Sequence, residues 1–574
     1  MEQKLNLIKT IINILSLVFI WLIWYLILPT ISVKYLSGLF FIATIAFILA
    51  LNITMWFSDE DRIIWQPPAI VGGLTVLILI IGSIAGCRLF TVDTMYRQLG
   101  EVETIQFNDM IKQIDVSQIP IVDLRLAQKQ ADKKIGEDPA LGSRAKLGNG
   151  ALQNVNGDLI YVFPIEHSSF WTWKKFQTTP GYITVSACNP NDVQYVTSIN
   201  GEDIENRYLS SSSFSYNLKR HIRNEGYFDV GLTDYTYELD DTGRPYYVVT
   251  TYKNVTVWDE PEATGVVVDV QTGETAHYTD PPEWIDIVHP ESFIENQIDN
   301  WGKFVHGLFN WSNKDKIQRT DRTSTVYVDG DCYYFTGMTS VGSDQSCIGF
   351  IMVNTSNKHA MISYMSGATE DAAMSSAEGL VSDFGYKATE PLPINVNGIP
   401  TYVMALKDNE ELIKAYAMVN IENYSIAVKG STLYETSRAY MQAMVANGNQ
   451  LVASNEAFQY TYEGAVKRIS TVIDNGFTSY YMMLEGKDNI FTASSSLSYE
   501  LPLTQVGDIV TVSYIDDKNG TIDISAFDNK NISGSTSDDE TTAIDSDINN
   551  ITNVDPNASQ KTWEQMTEDY NNNK

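Results

Sequence analysis

The chain is short of cysteine, histidine and basic residues, and each shortage excludes a class of function. Four cysteines in 574 residues are too few for a disulfide framework and form no CxxC metal pair. The six histidines, His167, His221, His277, His289, His306 and His359, never fall at HxxxH or HExxH spacing, so neither a metal site nor a cofactor is expected. Thirty-nine Lys and Arg face 71 Asp and Glu, a net charge of -32. Such a surface repels phosphates, so no nucleic acid partner is expected. Phosphate-loop, GxGxxG, GxSxG and kinase signatures are missing as well. EHSSFW at 166–171 puts Glu166, His167 and Ser168 side by side, but neighbours along a strand point to opposite faces and make no triad. No catalytic residue is assigned, and the chain reads as a non-enzyme.

Apolar residues are concentrated at the N-terminus. Residues 10–28, 36–57 and 69–87 are three uncharged or nearly uncharged apolar runs, each long enough to cross a hydrocarbon core of about 30 Å. One cleaved signal peptide cannot account for three runs, so a multi-pass protein of the cell membrane is expected, in contact with membrane lipid. Trp21, Trp24, Tyr25 and Trp56 lie where aromatic residues favour the interface. Lys4, Lys9 and Arg62 on one side balance Lys34, Arg88 and Arg97 on the other, so charge does not orient the spans. The remaining sequence is rich in Tyr, Asn, Ser and Thr and poor in Lys, which favours an extracytoplasmic C-terminal region. Gly82 and Gly86 form a GxxxG pair, read as packing among the chain's own three spans.

Beyond residue 100 a phrase recurs. A glycine is followed four residues later by a tyrosine at Gly157/Tyr161, Gly243/Tyr247, Gly330/Tyr334 and Gly398/Tyr402, and each pair is followed by a second run of alternating Val, Ile, Tyr and Thr, the signal of a hairpin. Upstream of each lies a helical pattern closing at Gly136, Gly226, Gly302 or Gly385. The order helix, loop, hairpin therefore repeats about every 70 to 90 residues. VVVDVQTGETAHY at 266–278, with Asp269, Thr272, Gly273 and Glu274 in its turn, and the helix TEDAAMSSAEGLVSDFGY at 369–386 resemble a PepSY-type module. The resemblance implies extracytoplasmic modules used for binding or regulation, with no catalytic residues. Cys332 and Cys347 begin two strands of the third hairpin pair; a cross-strand disulfide and two buried thiols are both open. Trp171 and Trp173 in WTWKKF and Trp284 in PPEWIDIVHP form either an interaction surface or joints between modules.

From Tyr462 short alternating runs separated by DNG, EGKDN, VGD and DDKNG read as a five-strand meander, and VGDIVTVSYI resembles a turn and strand of an OB fold. Ten acidic residues against four basic ones over 456–527 argue for a structural or protein-binding barrel. DDKNGTIDI lacks ligating residues at the first and last calcium-loop positions, so a tight turn is expected.

The fold class expected is α+β, divided as a three-span anchor at 1–95, modules at 96–200, 201–285, 286–366 and 367–455, an OB-like barrel at 456–528, and a disordered acidic tail at 529–574. The function expected is a membrane-anchored scaffold, adaptor or regulator binding a protein or envelope component. An accessory subunit of a membrane transport or assembly complex is the alternative, and an envelope hydrolase has the least support.

Overall fold

Three N-terminal helices take up the apolar runs: α1 (Glu2–Ile27), α2 (Leu36–Phe57) and α3 (Gln66–Ala85). All three are long and apolar enough to cross a membrane, over Asn6–Ile27, Leu36–Trp56 and Gln66–Ala85. The computed structural model describes residues 2–57, 66–114, 118–278, 281–342, 346–447, 459–474, 477–495, 497–515 and 521–532. The loop holding Arg62, the DDKNG turn and the acidic tail beyond residue 532 lie outside the described residues. Contacts divide the chain into two compact units, Met1–Met444 and Val445–Lys574.

After α3 comes α4 (Arg88–Arg97), and then four antiparallel sheets, each preceded by a helix. Helix Leu124–Gly136 lays Leu126, Ala127, Ala131 and Ile135 on the first sheet, whose core includes Tyr161, Phe163, Ile183 and Val185. That spacing of three to four residues is one helical face. Helix Leu218–Asn224 packs Leu218 and Ile222 against the second sheet, a four-strand meander over residues 231–278. Helix Glu291–Lys303 puts Ile294 and Ile298 on the third sheet, and helix Glu370–Gly379 puts Ala373 and Ala377 between the third and fourth.

In each sheet one hairpin turn carries a glycine of positive φ: Gly157, Gly243, Gly330 and Gly398. Asn156, Asp329 and Asn397 also have positive φ, so three of these are Asn-Gly or Asp-Gly turns whose twist suits a tight hairpin. The tyrosine four residues on is buried every time, from 8 % exposed at Tyr161 to 0 % at Tyr402. At the helix ends, Gly226 and Gly385 are left-handed, whereas Gly302 lies within its helix. There a Cβ would meet the Ile317 carbonyl oxygen at 2.3 Å, so Gly302 allows close approach of a strand instead of capping.

The stretch that follows the spans does not pack on the first sheet alone. Leu99 packs with the third sheet's core, and Val102–Thr104 adds to that sheet as a parallel edge strand beside Ala360–Ser363. Phe107, Met110 and Ile111 enter the core shared by the third and fourth sheets, Ile119 and Ile121 join the fourth, and Val122 reaches the first. Local periodicity could not reveal this, because every partner lies far away in sequence.

In the second unit five strands pair in the order Gln459–Asp474, Phe477–Leu484, Ile490–Ser494, Thr521–Asn529, Ile509–Ile515, and the last pairs again with the first. One pairing, Ile490–Ser494 with Thr521–Asn529, is parallel. Leu484, Phe491, Leu501, Val510 and Val512 fill its core.

Candidate functional site

Three of the four glycine turns, at Gly157, Gly243 and Gly330, border one groove, and the fourth is hydrogen-bonded to the stretch beside it. Asn156 Nδ2 donates to the Asp241 carbonyl (3.0 Å) and Asn154 Nδ2 to the Gly330 carbonyl (3.1 Å), joining the first turn to the second and third. The fourth turn is tied in by the 105–114 stretch: Asn108 Nδ2 donates to the Gly398 carbonyl (3.1 Å), Gln113 Nε2 to Asn397 Oδ1 (3.1 Å), and Lys112 pairs with Asp329 at the third turn. The resulting cleft has a volume of about 620 Å³ and is floored by Ile160, Tyr182, Thr184, Ser186, Gln194 and Val196 of the first sheet. A smaller one of about 230 Å³ shares Ile114 and Gln118 with it and runs on beside Tyr327 and Leu392–Ile394. Amide and hydroxyl groups interleaved with aliphatic ones suit an extended polypeptide, which needs backbone partners and small apolar pockets. Cys188 lines the groove, but burial raises its thiol pKa, which makes it a poor nucleophile.

Beneath the groove a buried polar joint ties the first three sheets together. Gln153 donates to the Leu239 carbonyl (2.7 Å) and accepts from the Leu239 N–H (2.9 Å). Asp286 accepts from the Asn154 N–H (2.8 Å) and the Tyr327 hydroxyl (3.1 Å), while the Thr355 hydroxyl donates to the Asp286 carbonyl. Glu238, 2 % exposed, accepts from the Thr236 hydroxyl (2.7 Å). Burial, reinforced by the Asp286 charge, pushes the Glu238 carboxyl up to about 8, and burial pushes Asp286 up to about 7. Both carboxyls are therefore harder to ionise than exposed ones.

Of the tryptophans nominated by the sequence, Trp171 is 72 % exposed, Trp173 is 6 % exposed, and Trp284 stacks at 5.1 Å on Tyr246 beside the joint. Trp171 is thus a surface group and the other two are packing groups. Cys332 and Cys347 are free, buried thiols. A bridge between them is corrected by register: Cys347 Sγ lies beside Gly337, five residues up the strand from Cys332, or roughly 17 Å at about 3.3 Å per residue, well beyond disulfide reach. Ser168 donates to the Arg144 carbonyl (2.9 Å), and His167 is buried, with desolvation lowering its pKa. Among the described residues no group of three or more His, Cys, Asp or Glu could hold a metal ion.

Gly82 and Gly86 do not pack against another span. A Cβ on Gly82 would meet the Trp258 ring at 2.4 Å, and one on Gly86 the Val257 carbonyl oxygen at 2.7 Å. The small residues of α3 receive the tip of a second-sheet hairpin, whose indole N–H donates to the Val33 carbonyl (3.1 Å). Around it, Asn254 donates to the Lys34 carbonyl (3.0 Å), Tyr35 to the Tyr252 carbonyl (2.6 Å) and Arg223 to Thr30 (3.1 Å). The end of α1, the start of α2 and the end of α3 therefore meet the second sheet on the same side.

Sequence reasoning missed Trp258, the Glu238 and Asp286 pair, and the lacing role of residues 105–114. Only Trp258 carried a local signal, a lone Trp in a polar turn. No protein-family model matches the chain, and no curated protein matches it either.

Proposed function

We propose that this protein is a non-enzymatic scaffold, adaptor or regulator, held in the cell membrane by α1–α3, that binds an extended segment of a partner protein in the groove along its hairpin turns. The observation that carries the reading is the convergence of those turns: groups from the first three sheets border one polar groove, and the fourth sheet reaches the adjoining smaller cleft through Leu392–Ile394. A PepSY-like repeat is supported by the succession of helix and antiparallel sheet and by the Asp269 turn, in which Asp269 Oδ1 accepts from the N–H groups of Gln271 (2.8 Å) and Thr272 (2.9 Å). An OB-like second unit is supported by its strand order and its one parallel pairing. The composition of the sheet region favours an extracytoplasmic location.

Photo-crosslinking from Gln194, with Lys414 far from the groove as control, tests the reading in cells. A discrete adduct from Gln194 alone, abolished when Thr184→Trp obstructs the floor, supports it. Equal labelling from both positions, or none, sinks it. Protease protection of a tag after Lys574 in intact and lysed cells decides the side.

An accessory subunit of a membrane complex is the second reading. It is favoured by polar groups inside the spans: Ser16 Oγ lies 3.3 Å from Asn52 Oδ1 between α1 and α2, and Asn13 Oδ1 has no partner among the described residues. Intramembrane amides such as these seek hydrogen bonds across helices. Copurification of a helical membrane partner lost in Asn13→Leu supports this reading.

A further inference from the structure

Where α1 leaves the apolar run it forms a cleft with two loops of the sheet region. Tyr25–Leu28, Phe170, Ser212–Phe214, Asn217, Lys219 and Arg220 enclose about 460 Å³. Two features set this place apart from the rest of the surface. The first is charge: in a chain of net charge -32, the cleft is lined by two cations and no carboxylate, and Lys174 and Lys175 stand on the adjoining helix Phe170–Phe176. These cations rest on rings and carbonyls. Arg220 lies 3.9 Å above the Tyr25 ring and donates to the Tyr25 (2.9 Å) and Phe214 (3.0 Å) carbonyls, its Nε without a partner among the described residues, and Lys174 sits 5.7 Å from the Trp171 ring.

The second feature is apolar exposure continuous with the span. Leu26 and Ile27 of α1 are 68 % and 60 % exposed, and beside them Trp171 and Phe214 are 72 % and 54 % exposed. Phe170, Trp173 and Phe214 form one ring cluster with centroids 5.6 to 6.2 Å apart. Aromatic rings flanked by Lys and Arg at the end of an apolar helix are the arrangement favoured at a lipid headgroup boundary, where the ring body is apolar and the cation meets phosphate.

We infer that this cleft binds the phosphate headgroup of an anionic phospholipid, with Lys219 and Arg220 as the cationic contacts and Trp171 and Phe214 seated among the upper acyl chains. The site seats helix Phe170–Phe176 on the bilayer and adds a second attachment to the one made by Trp258 on α3. The inference rests on α1–α3 crossing a membrane and is independent of the groove.

The test uses the full chain in vesicles of phosphatidylcholine with or without phosphatidylglycerol of the same acyl composition. Lipid retained after detergent extraction is read by native mass spectrometry, and the depth of Trp171 by quenching with brominated phosphatidylcholine, taken as the difference from Trp171→Phe. Two cations near the surface predict retention of phosphatidylglycerol about thirtyfold tighter than phosphatidylcholine. The preference falls to a few-fold in Lys219→Gln/Arg220→Gln, the remainder owed to Lys174 and Lys175, and Trp171 in the native chain is strongly quenched. Lys174→Gln/Lys175→Gln, which alters no cleft contact, lowers the preference several-fold and serves if the first variant misfolds. Equal retention of the two lipids, or an unquenched Trp171, overturns the inference. Full displacement by millimolar inorganic phosphate also overturns it, in favour of a free-phosphate site. Flotation with the vesicles reports the spans separately, so failure of the anchor and failure of the site give different results.

Discussion

The indole of Trp258 occupies the space that a side chain on Gly82 would need, with 2.4 Å between its ring and a Cβ built there. One glycine on a span and one tryptophan on a hairpin thereby hold the sheet region to the anchor.

Gly82→Leu is expected to expel that ring and destabilise the full chain by about 1–3 kcal/mol, the usual cost of overpacking. Gly73→Leu is the control, since a Cβ there meets nothing within 4 Å, and should leave thermal unfolding in detergent unchanged. In a Trp258→Ala background the Gly82→Leu penalty should largely vanish, because both changes act on one contact.

The buried pair Glu238 and Asp286 makes stability depend on pH in a defined direction. Both carboxyls have folded pKa values raised by burial, to about 8 and about 7, against about 4 in an unfolded chain. The folded state therefore binds more protons between these limits, so the pair's contribution to stability is fully present below about pH 4 and is lost as pH rises to about 8, where it levels off. Glu238→Gln removes the larger part of this slope and raises the melting temperature at pH 8.5 by several degrees. A slope unchanged by Glu238→Gln refutes the assignment.

Two buried tyrosines should respond in opposite ways to loss of the hydroxyl. Tyr402 is fully buried with no partner for its oxygen among the described residues, so Tyr402→Phe is expected to be neutral or stabilising. Tyr440 accepts from Thr401 (2.9 Å) and Asn420 (3.0 Å), so Tyr440→Phe leaves the buried Asn420 amide short of an acceptor, while Thr401 keeps the Ile399 carbonyl (3.0 Å), and costs about 1–3 kcal/mol. Tyr402→Ala costs about 3–5 kcal/mol, as for other buried rings. Chemical denaturation of the three variants in one detergent checks the ranking.

Asp123 serves two elements at once. Its Oδ1 caps helix Leu124–Gly136 at the Leu126 N–H (2.9 Å), and its Oδ2 lies 2.5 Å from the buried Lys407 ammonium of the fourth sheet. Asp123→Asn keeps the cap but leaves Lys407 with Glu411 alone, at 3.7 Å. We expect a loss of about 2 kcal/mol, most of it regained in Asp123→Asn/Lys407→Met. A single variant indistinguishable from the native protein by thermal unfolding would sink the assignment.

How much was legible in the sequence depended on whether a feature is local. The three apolar helices and the mixed helix and sheet class come from runs and periods only a few residues long. The chemistry of Asn156-Gly157, Asp329-Gly330 and Asn397-Gly398 is equally local, because a left-handed pair of residues can be recognised without its surroundings. What could not be read is what each element touches. GxxxG states that a close approach is allowed on α3 but not that a tryptophan about 170 residues away supplies it. Cys332 and Cys347 both begin strands, yet only register shows them separated along the sheet. Residues 99–114 and 118–122 pack on strands that lie far away in sequence.

That last stretch has a consequence for how the chain is made. It is synthesised immediately after the spans, yet its partners Ala360–Ser363 and Asn395 appear only when some 260 to 290 more residues have been joined. Until then Phe107, Met110 and Ile111 lack the core that buries them. Such non-local closure is slow and exposes apolar surface in the interim. A ribosome stalled anywhere before the fourth sheet would therefore leave a tethered, unfinished protein with its earliest extramembrane residues still bare, a natural target for chaperones and for quality-control proteases at the membrane.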